Sequence, residues 1–384
     1  MSRFTDRIER DLDQIAEQAT PSSTAWEAIQ QRIGEQDTTD STMEVIMLAP
    51  NPKKSWIKDR PLLASAAAAI LLALIVGVVV ATRDTDSGVI ADQNEIDDTD
   101  TEEGAPGAAI ATGLTPDAML FDGTYVWIAN LGDNTVTRID PDDGSRVDFE
   151  TGDFPESLVF DGTSLWIANL RGGTVSQMNP DDGTRVDYEV GLTPYGLVFD
   201  GTHVWVSHDG ESSIFDDSAL TRFDPSDGSR EDYPLGGEIS VPALAFDGSN
   251  IWLADPTTSG ISRFDPVDGS LTSFELAHQP YEILFAGDSI WVTHRDDDLV
   301  SKVDPADGTV VEFATGREPF HLTFDGTSLW ITNRVDATVS QMNPDDGARV
   351  DYATGPIPSG VAFDGTNIWL ASVTDATVST ITPG

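Results

Sequence analysis

Residues 158–191 read LVFDGTSLWIANLRGGTVSQMNPDDGTRVDYEVG, and residues 322–355 read LTFDGTSLWITNRVDATVSQMNPDDGARVDYATG. The two stretches differ at only a few positions, and the same frame returns wherever a tryptophan falls between residues 127 and 369. Those tryptophans stand at 127, 166, 205, 252, 291, 330 and 369, in steps of 39, 39, 47, 39, 39 and 39 residues. Within one copy the pattern divides into four short β-segments. LVFD runs to a turn at Asp161-Gly162, SLWIAN follows, TVSQMN runs to the Pro-Asp-Asp-Gly turn, and TRVDYEV completes the unit. Asp-Gly between β-patterned runs is a strong hairpin signal, and a unit of four antiparallel strands repeated at this period predicts a propeller blade. The sequence therefore predicts an all-β, seven-bladed propeller over residues 107–384.

The ends of the repeat region predict how the ring closes. The seventh copy stops at TVSTITPG, one strand short, while AAIATG (Ala108 to Gly113) precedes the first copy and matches the fourth-strand endings VDFETG, VEFATG and VDYATG. An N-terminal strand completing the last blade would join the ends and remove exposed strand edges.

Upstream of the repeats, Leu62 to Ala81 reads LLASAAAAILLALIVGVVVA, twenty residues without a charge. As a helix this spans roughly 30 Å, the thickness of a bilayer core. Lys53, Lys54, Lys58 and Arg60 precede it, so the positive-inside bias predicts a cytoplasmic N-terminus and exported repeats. A cleaved signal peptide is the competing reading, disfavoured by the 60-residue leader. The division predicted is a cytoplasmic helical head (1–60), a transmembrane helix (61–82), an acidic, disordered linker (83–106) and the propeller, which places the protein in the cell membrane as a single-pass chain. In the head, Phe4, Ile8, Leu12, Ile15 and Ala19 recur at helical spacing, and Thr24 with Glu27 forms a capping box before a second amphipathic helix. Two such helices bury little surface, so residues 1–35 are expected to engage a cytoplasmic partner.

Charge sharpens this division. The chain of 384 residues carries 66 Asp and Glu against 21 Lys and Arg, a formal charge of −45, and 55 of those acids but only 13 of the bases follow residue 82. Such a surface repels nucleic acid, which is excluded as a partner. The absence of cysteine excludes disulfides, thiolate metal sites and a cysteine nucleophile.

Two resemblances add to this reading. The Phe160-Asp161-Gly162…Trp166 and Asn179-Pro180-Asp181-Asp182-Gly183 frames, across residues 108–384, resemble the NHL, YVTN and virginiamycin B lyase-like group of propellers. The stretch SRFTDRIERDLDQIAEQATPSSTAWEAIQQRI before a single span looks like the cytoplasmic heads of actinobacterial anti-sigma-factor-like membrane proteins, without the zinc-binding His and Cys of one such class. The first resemblance implies a lyase using paired histidines at the strand mouths, glutamates and magnesium. Here Tyr281 and Phe320 stand where those histidines are expected, with His321 one residue further on, so the lyase pattern is not met.

Candidate site residues lie on the face carrying the variable loops. Three residues after each Trp stand Asn130, Asn169, His208, Asp255, His294, Asn333 and Ser372. At the mouths of the first strands stand Asp117, Glu156, Tyr195, Pro242, Tyr281, Phe320 and Ser359, followed by Ala118, Ser157, Gly196, Ala243, Glu282, His321 and Gly360. The fifth and sixth copies are richest, with Tyr281, Glu282, His294, Arg295, Arg317, Phe320, His321 and Arg334. Three arginines on so acidic a body predict an anion-binding spot, with His208 and Asp255 on the same ring. Glu282 with His321 is a candidate acid–base pair. Asp209, Glu211, Asp216 and Asp217, in the longer loop of the third copy, could collect a divalent cation; otherwise no cofactor is expected. The reading favoured is a membrane-anchored binding module for an extracellular ligand or protein, with a lyase or lactone hydrolase as the alternative.

Overall fold

The computed structural model describes residues 107, 109–209, 218–235 and 243–383. The head, the apolar stretch 62–81, the acidic linker, Glu211, Asp216, Asp217 and Pro242 lie outside the described residues. Among the described residues no helix is long and apolar enough to cross a membrane.

Seven four-stranded antiparallel sheets make up the described chain, each built from strands consecutive in sequence except the last. Blade 2 is representative: Pro155–Phe160, Leu165–Asn169, Thr174–Met178 and Arg185–Glu189, from the axis outward. The second strand of every blade is buried at all positions, because neighbouring blades cover both its faces. It consequently reads as a continuous apolar run. The outer strand is largely exposed, with Val186 and Asp187 accessible and Tyr188 turned in beside Trp166.

The tryptophans are the joints of the ring. Trp166 packs among Leu197, Val204, Val206 and Phe223 of blade 3, and Trp369 among Val126, Ile128 and Ile139 of blade 1, so the same contact closes the circle. A fully buried indole N–H needs an acceptor. In blades 1 to 4 and 6 the Asp of the Asp-Gly turn supplies it at 2.7 Å, for example Trp166 Nε1 to Asp161 Oδ2. Blade 7 does the same through Asp364. The other oxygen of Asp161 accepts the backbone N–H groups of Thr163 and Ser164, so one carboxylate builds the turn and seats the core. Blade 5 departs from this, with Ala286 in the Asp position.

Closure occurs as the sequence predicts. Strand Ile110–Ala111 pairs with Thr377–Ile381, Ile110 opposite Val378, and completes the sheet of Pro358–Phe363 and Ile368–Ser372. Gly107 N–H donates to Thr380 O and Thr112 N–H to Ala376 O, and at the axis Ser359 Oγ donates to Pro116 O at 2.7 Å.

Candidate functional site

The ring of residues three after each Trp is a set of internal nodes. Asn169 Nδ2 donates to Thr174 Oγ1 and Ser176 Oγ, and Ser176 passes a hydrogen bond to Asp187, tying three strands of one blade. Asn130 and Asn333 repeat the pattern. The glycine ending the preceding blade presses on the same side chain: a Cβ at Gly316 would lie 2.6 Å from Asn333 Cγ. His294 substitutes for Asn here, with Nε2 2.7 Å from Ser301 Oγ and Nδ1 3.0 Å from Gln279 O. It is fully buried, and burial lowers its pKa. His208 bridges Asp209 O and Thr221 Oγ1, while Asp255 accepts the Thr257 and Thr258 hydroxyls. His208, Asp255 and His294 are thus occupied within the blades and do not line the axis.

The arginines are placed together, each with a neighbour. Arg295 Nε donates to Glu318 Oε1 at 2.6 Å, and Arg317 Nε to Asp336 Oδ1 at 2.6 Å. Arg334 lies over the Phe320 ring at 4.3 Å, and Phe320 packs against Tyr281 at 4.7 Å. This surface is locally neutralised by the acids of adjoining loops.

At the axis the first strands enclose a cavity of about 240 Å³. One residue from each blade, from Met119 and Leu158 to Leu322 and Val361, forms an apolar ring in it. The preceding position contributes small residues (Ala118, Ser157, Gly196, Ala243) and then Glu282 and His321. His321, on blade 6, sits between carboxylates of two other blades. Its Nδ1 is 3.2 Å from Glu282 Oε2, and its Nε2 is 3.6 Å from Asp117 Oδ1, too far for a hydrogen bond. Glu156 and Tyr195 join from blades 2 and 3. Two buried polar atoms of this cluster have no hydrogen-bond partner among the described residues: Glu156 Oε2 and His321 Nε2.

The electrostatics follow from this crowding. Burial, reinforced by the charges of Asp117 and Glu282, raises the Glu156 pKa to about 8, against the pull of His321 and the Tyr195 hydroxyl. Burial works to lower the His321 pKa, yet the neighbouring carboxylates of Asp117 and Glu282 prevail and raise it to about 10. Burial and neighbouring acids also push Tyr195 and Tyr281 up. At neutral pH the cluster therefore holds a neutral Glu156 and an imidazolium at His321.

The sequence-derived pair Glu282 and His321 lies in contact, at 3.2 Å. Asp117, Glu156 and Tyr195 complete the cluster; they stand on the mouth ring already visible in the repeat alignment, where acids replace the apolar or aromatic residues of other blades. In the loop of blade 3, Asp209 is buried and accepts the Thr193 and Ser218 hydroxyls. Among the described residues no three His, Asp or Glu side chains are grouped so as to hold a metal ion.

No protein-family model and no curated sequence matches the chain. Solved structures similar in fold include a streptogramin B lyase, 16% identical over 72% of this chain and 97% of that one, with a TM-score of 0.61. The hydrazine synthase of Kuenenia stuttgartiensis is 17% identical over 72% and 98%, with a TM-score of 0.64. The propeller domain of Cps50 (Swd1) from Myceliophteria thermophila is 14% identical over 72% and 99%, with a TM-score of 0.61. These likenesses show the propeller fold, which hosts binding proteins and enzymes alike.

Proposed function

We propose that this protein is a membrane-anchored propeller that binds a small ligand in its axial cavity outside the cell. The observation that carries the reading is the pair of buried, partnerless polar atoms, Glu156 Oε2 and His321 Nε2, in a cavity where Ser157, Tyr195 and Glu282 share the wall with an apolar ring. Buried polar atoms cost stability unless something satisfies them, and a concave apolar site with a few convergent polar groups is the usual form of a ligand pocket. Anchoring rests on the charge-free stretch 62–81 and the basic residues before it. Residues 1–35 then form the cytoplasmic end through which occupancy of the propeller is communicated to a partner.

His321 does not offer the general base that lyase or hydrolase chemistry would draw from the Glu282–His321 pair. A general base must be unprotonated near the working pH, and Asp117 and Glu282 hold this imidazole in its protonated form. The test is a small-molecule binding screen on the full-length chain in an uncharged detergent, run beside Ala118→Trp, which fills the cavity. Binders are expected to be lost in Ala118→Trp while its melting temperature is kept. Binders that survive the plug would contradict an axial site. Protease added to intact cells should remove the propeller and spare the head; a protected propeller would contradict the topology.

A further inference from the structure

We infer that the axial cavity selects an organic ammonium ion with a short apolar tail, and that this ligand takes the place of a proton in the Asp117–Glu156–Glu282 cluster. The inference rests on the axial-site reading above and specifies its ligand.

Three carboxyl groups, Asp117, Glu156 and Glu282 from blades 1, 2 and 5, gather about a single imidazole from blade 6, and Glu156 and Glu282 line the cavity. An anionic ligand would meet Glu156 and Glu282 on the cavity wall, in the field of a strongly acidic domain; a cation is drawn in. The partnerless oxygen, Glu156 Oε2, is an acceptor once its acid ionises, and an ammonium group offers several N–H donors to oxygens at unequal angles. A metal ion makes a stricter demand, since it needs several ligands convergent on one point. Among the described residues His, Asp and Glu side chains are not so grouped. Beyond the acids, the cavity wall is the ring of Met119, Leu158, Leu197, Leu244 and their counterparts, which has nothing to offer a polar ligand and fits an alkyl or aryl tail.

Proton linkage follows from the same geometry. Glu156 is faced by Asp117, Glu282, His321, Tyr195 and Tyr281, and burial, reinforced by the two neighbouring acids, keeps its proton on. An arriving ammonium supplies the opposing charge. The Glu156 O–H bond breaks, its proton passes to solvent, and the carboxylate left behind pairs with the ligand N–H, so total charge in the cavity is conserved.

Calorimetry on the full-length chain in uncharged detergent tests this with butylammonium chloride, and with 1-butanol, sodium butyrate and magnesium chloride as comparators. Butylammonium is expected to bind more tightly than butanol or butyrate and to release a proton into the buffer near neutrality. Its affinity should rise by up to ~10-fold per pH unit below the Glu156 pKa and flatten above it. Glu156→Gln mimics the protonated acid and should fold normally, bind butylammonium more weakly and lose the pH dependence. Butanol or butyrate binding as tightly as the ammonium, magnesium binding in its place, a pH-independent affinity, or no butylammonium binding would each overturn the ligand class. If neutral or anionic molecules bind and Ala118→Trp excludes them, the axial site stands and only its ligand class fails. If butylammonium binding survives Ala118→Trp, the axial site itself fails.

Discussion

Blades 2 and 6 are nearly the same blade. Both seat their Trp on a turn Asp at 2.7 Å, both run an Asn–Ser–Asp relay across three strands, and both tie the outer Tyr to a Gln, Tyr188 to Gln177 and Tyr352 to Gln341. At the axis they part: Glu156-Ser157 in one, Phe320-His321 in the other. Apart from Asn169 Oδ1 and Asn333 Oδ1, which are also buried without a partner, the polar groups of this shared frame answer to neighbours in their own blade. The axial pair answers to residues of other copies, and it is there that Glu156 Oε2 and His321 Nε2 are left without partners. The frame builds a ring, and the ring brings unlike residues to one point.

This contrast can be broken at several places. The largest effect is expected from deleting residues 107–113. Blade 7 would lose its outer strand and expose the edge of Thr377–Ile381, so the variant should aggregate or unfold without a single cooperative transition. Cooperative melting at the native temperature would show that closure is dispensable. Next is Gly360→Ala, because a Cβ there would lie 1.9 Å from Asp117 O and 2.6 Å from Met119 Cγ, where the inner strands of blades 7 and 1 meet. Overpacking of this kind costs about 1–3 kcal/mol, readable by denaturant titration. An unchanged midpoint would mean that the axis is looser than described.

Asp161→Ala and Asp325→Ala each leave a buried indole N–H without its acceptor, a loss of about 1–3 kcal/mol. Because the two blades share one frame, the two losses should match; unequal values would show that the copies are not equivalent. The smallest effect is expected from Ala286→Asp in blade 5, which offers Trp291 the acceptor found elsewhere and should gain at most about 1 kcal/mol. A loss would show that this blade depends on alanine at the turn.

Much of the fold was legible because its signals are local and repeated. The Trp spacing counted the blades, Asp-Gly and Pro-Asp-Asp-Gly placed the turns, and the unpaired copy of AAIATG foretold the closing strand. The site was legible only in part. Glu282 and His321 stood out as unusual residues on a repeated position, and the structure brings them into contact. Arg295, Arg317 and Arg334 stood out equally, yet Arg295 and Arg317 meet Glu318 and Asp336 on adjoining loops and Arg334 lies on the Phe320 ring, which the alignment of strands does not register. His294 and Asp255 looked like site residues because they vary where Asn recurs; the structure shows alternative ways of filling one buried node. Asp117 lies at the other end of the repeat region from His321, so their meeting depends on ring closure and on no local pattern.

The two regions also answer pH with opposite signs. In the frame, burial raises the pKa of Asp200, but hydrogen bonds from the Trp205 indole and the turn N–H groups outweigh it and the net shift is downward; Asp247 behaves alike. Their contribution is present at neutral pH and lost as acid protonates them. On the axis Glu156 is raised from an ordinary 4.5 to about 8 and His321 from 6.5 to about 10. The folded state therefore holds more protons than the unfolded one across those windows, and stability falls as pH rises through them. Melting the full-length chain from pH 7 upward reports mainly on the axis until pH nears 10, because His294, whose pKa is lowered, titrates below that range and the blade tyrosines Tyr188 and Tyr233, whose pKa is raised from 10.0, act only at its upper end. The melting temperature should fall steadily from pH 7 to 10. Glu156→Gln should remove the part of the slope up to about pH 8, while Asp161→Ala lowers the whole curve without changing its slope. A flat profile in the wild-type chain, or the same slope in Glu156→Gln, would contradict a proton held at the axis by ring closure.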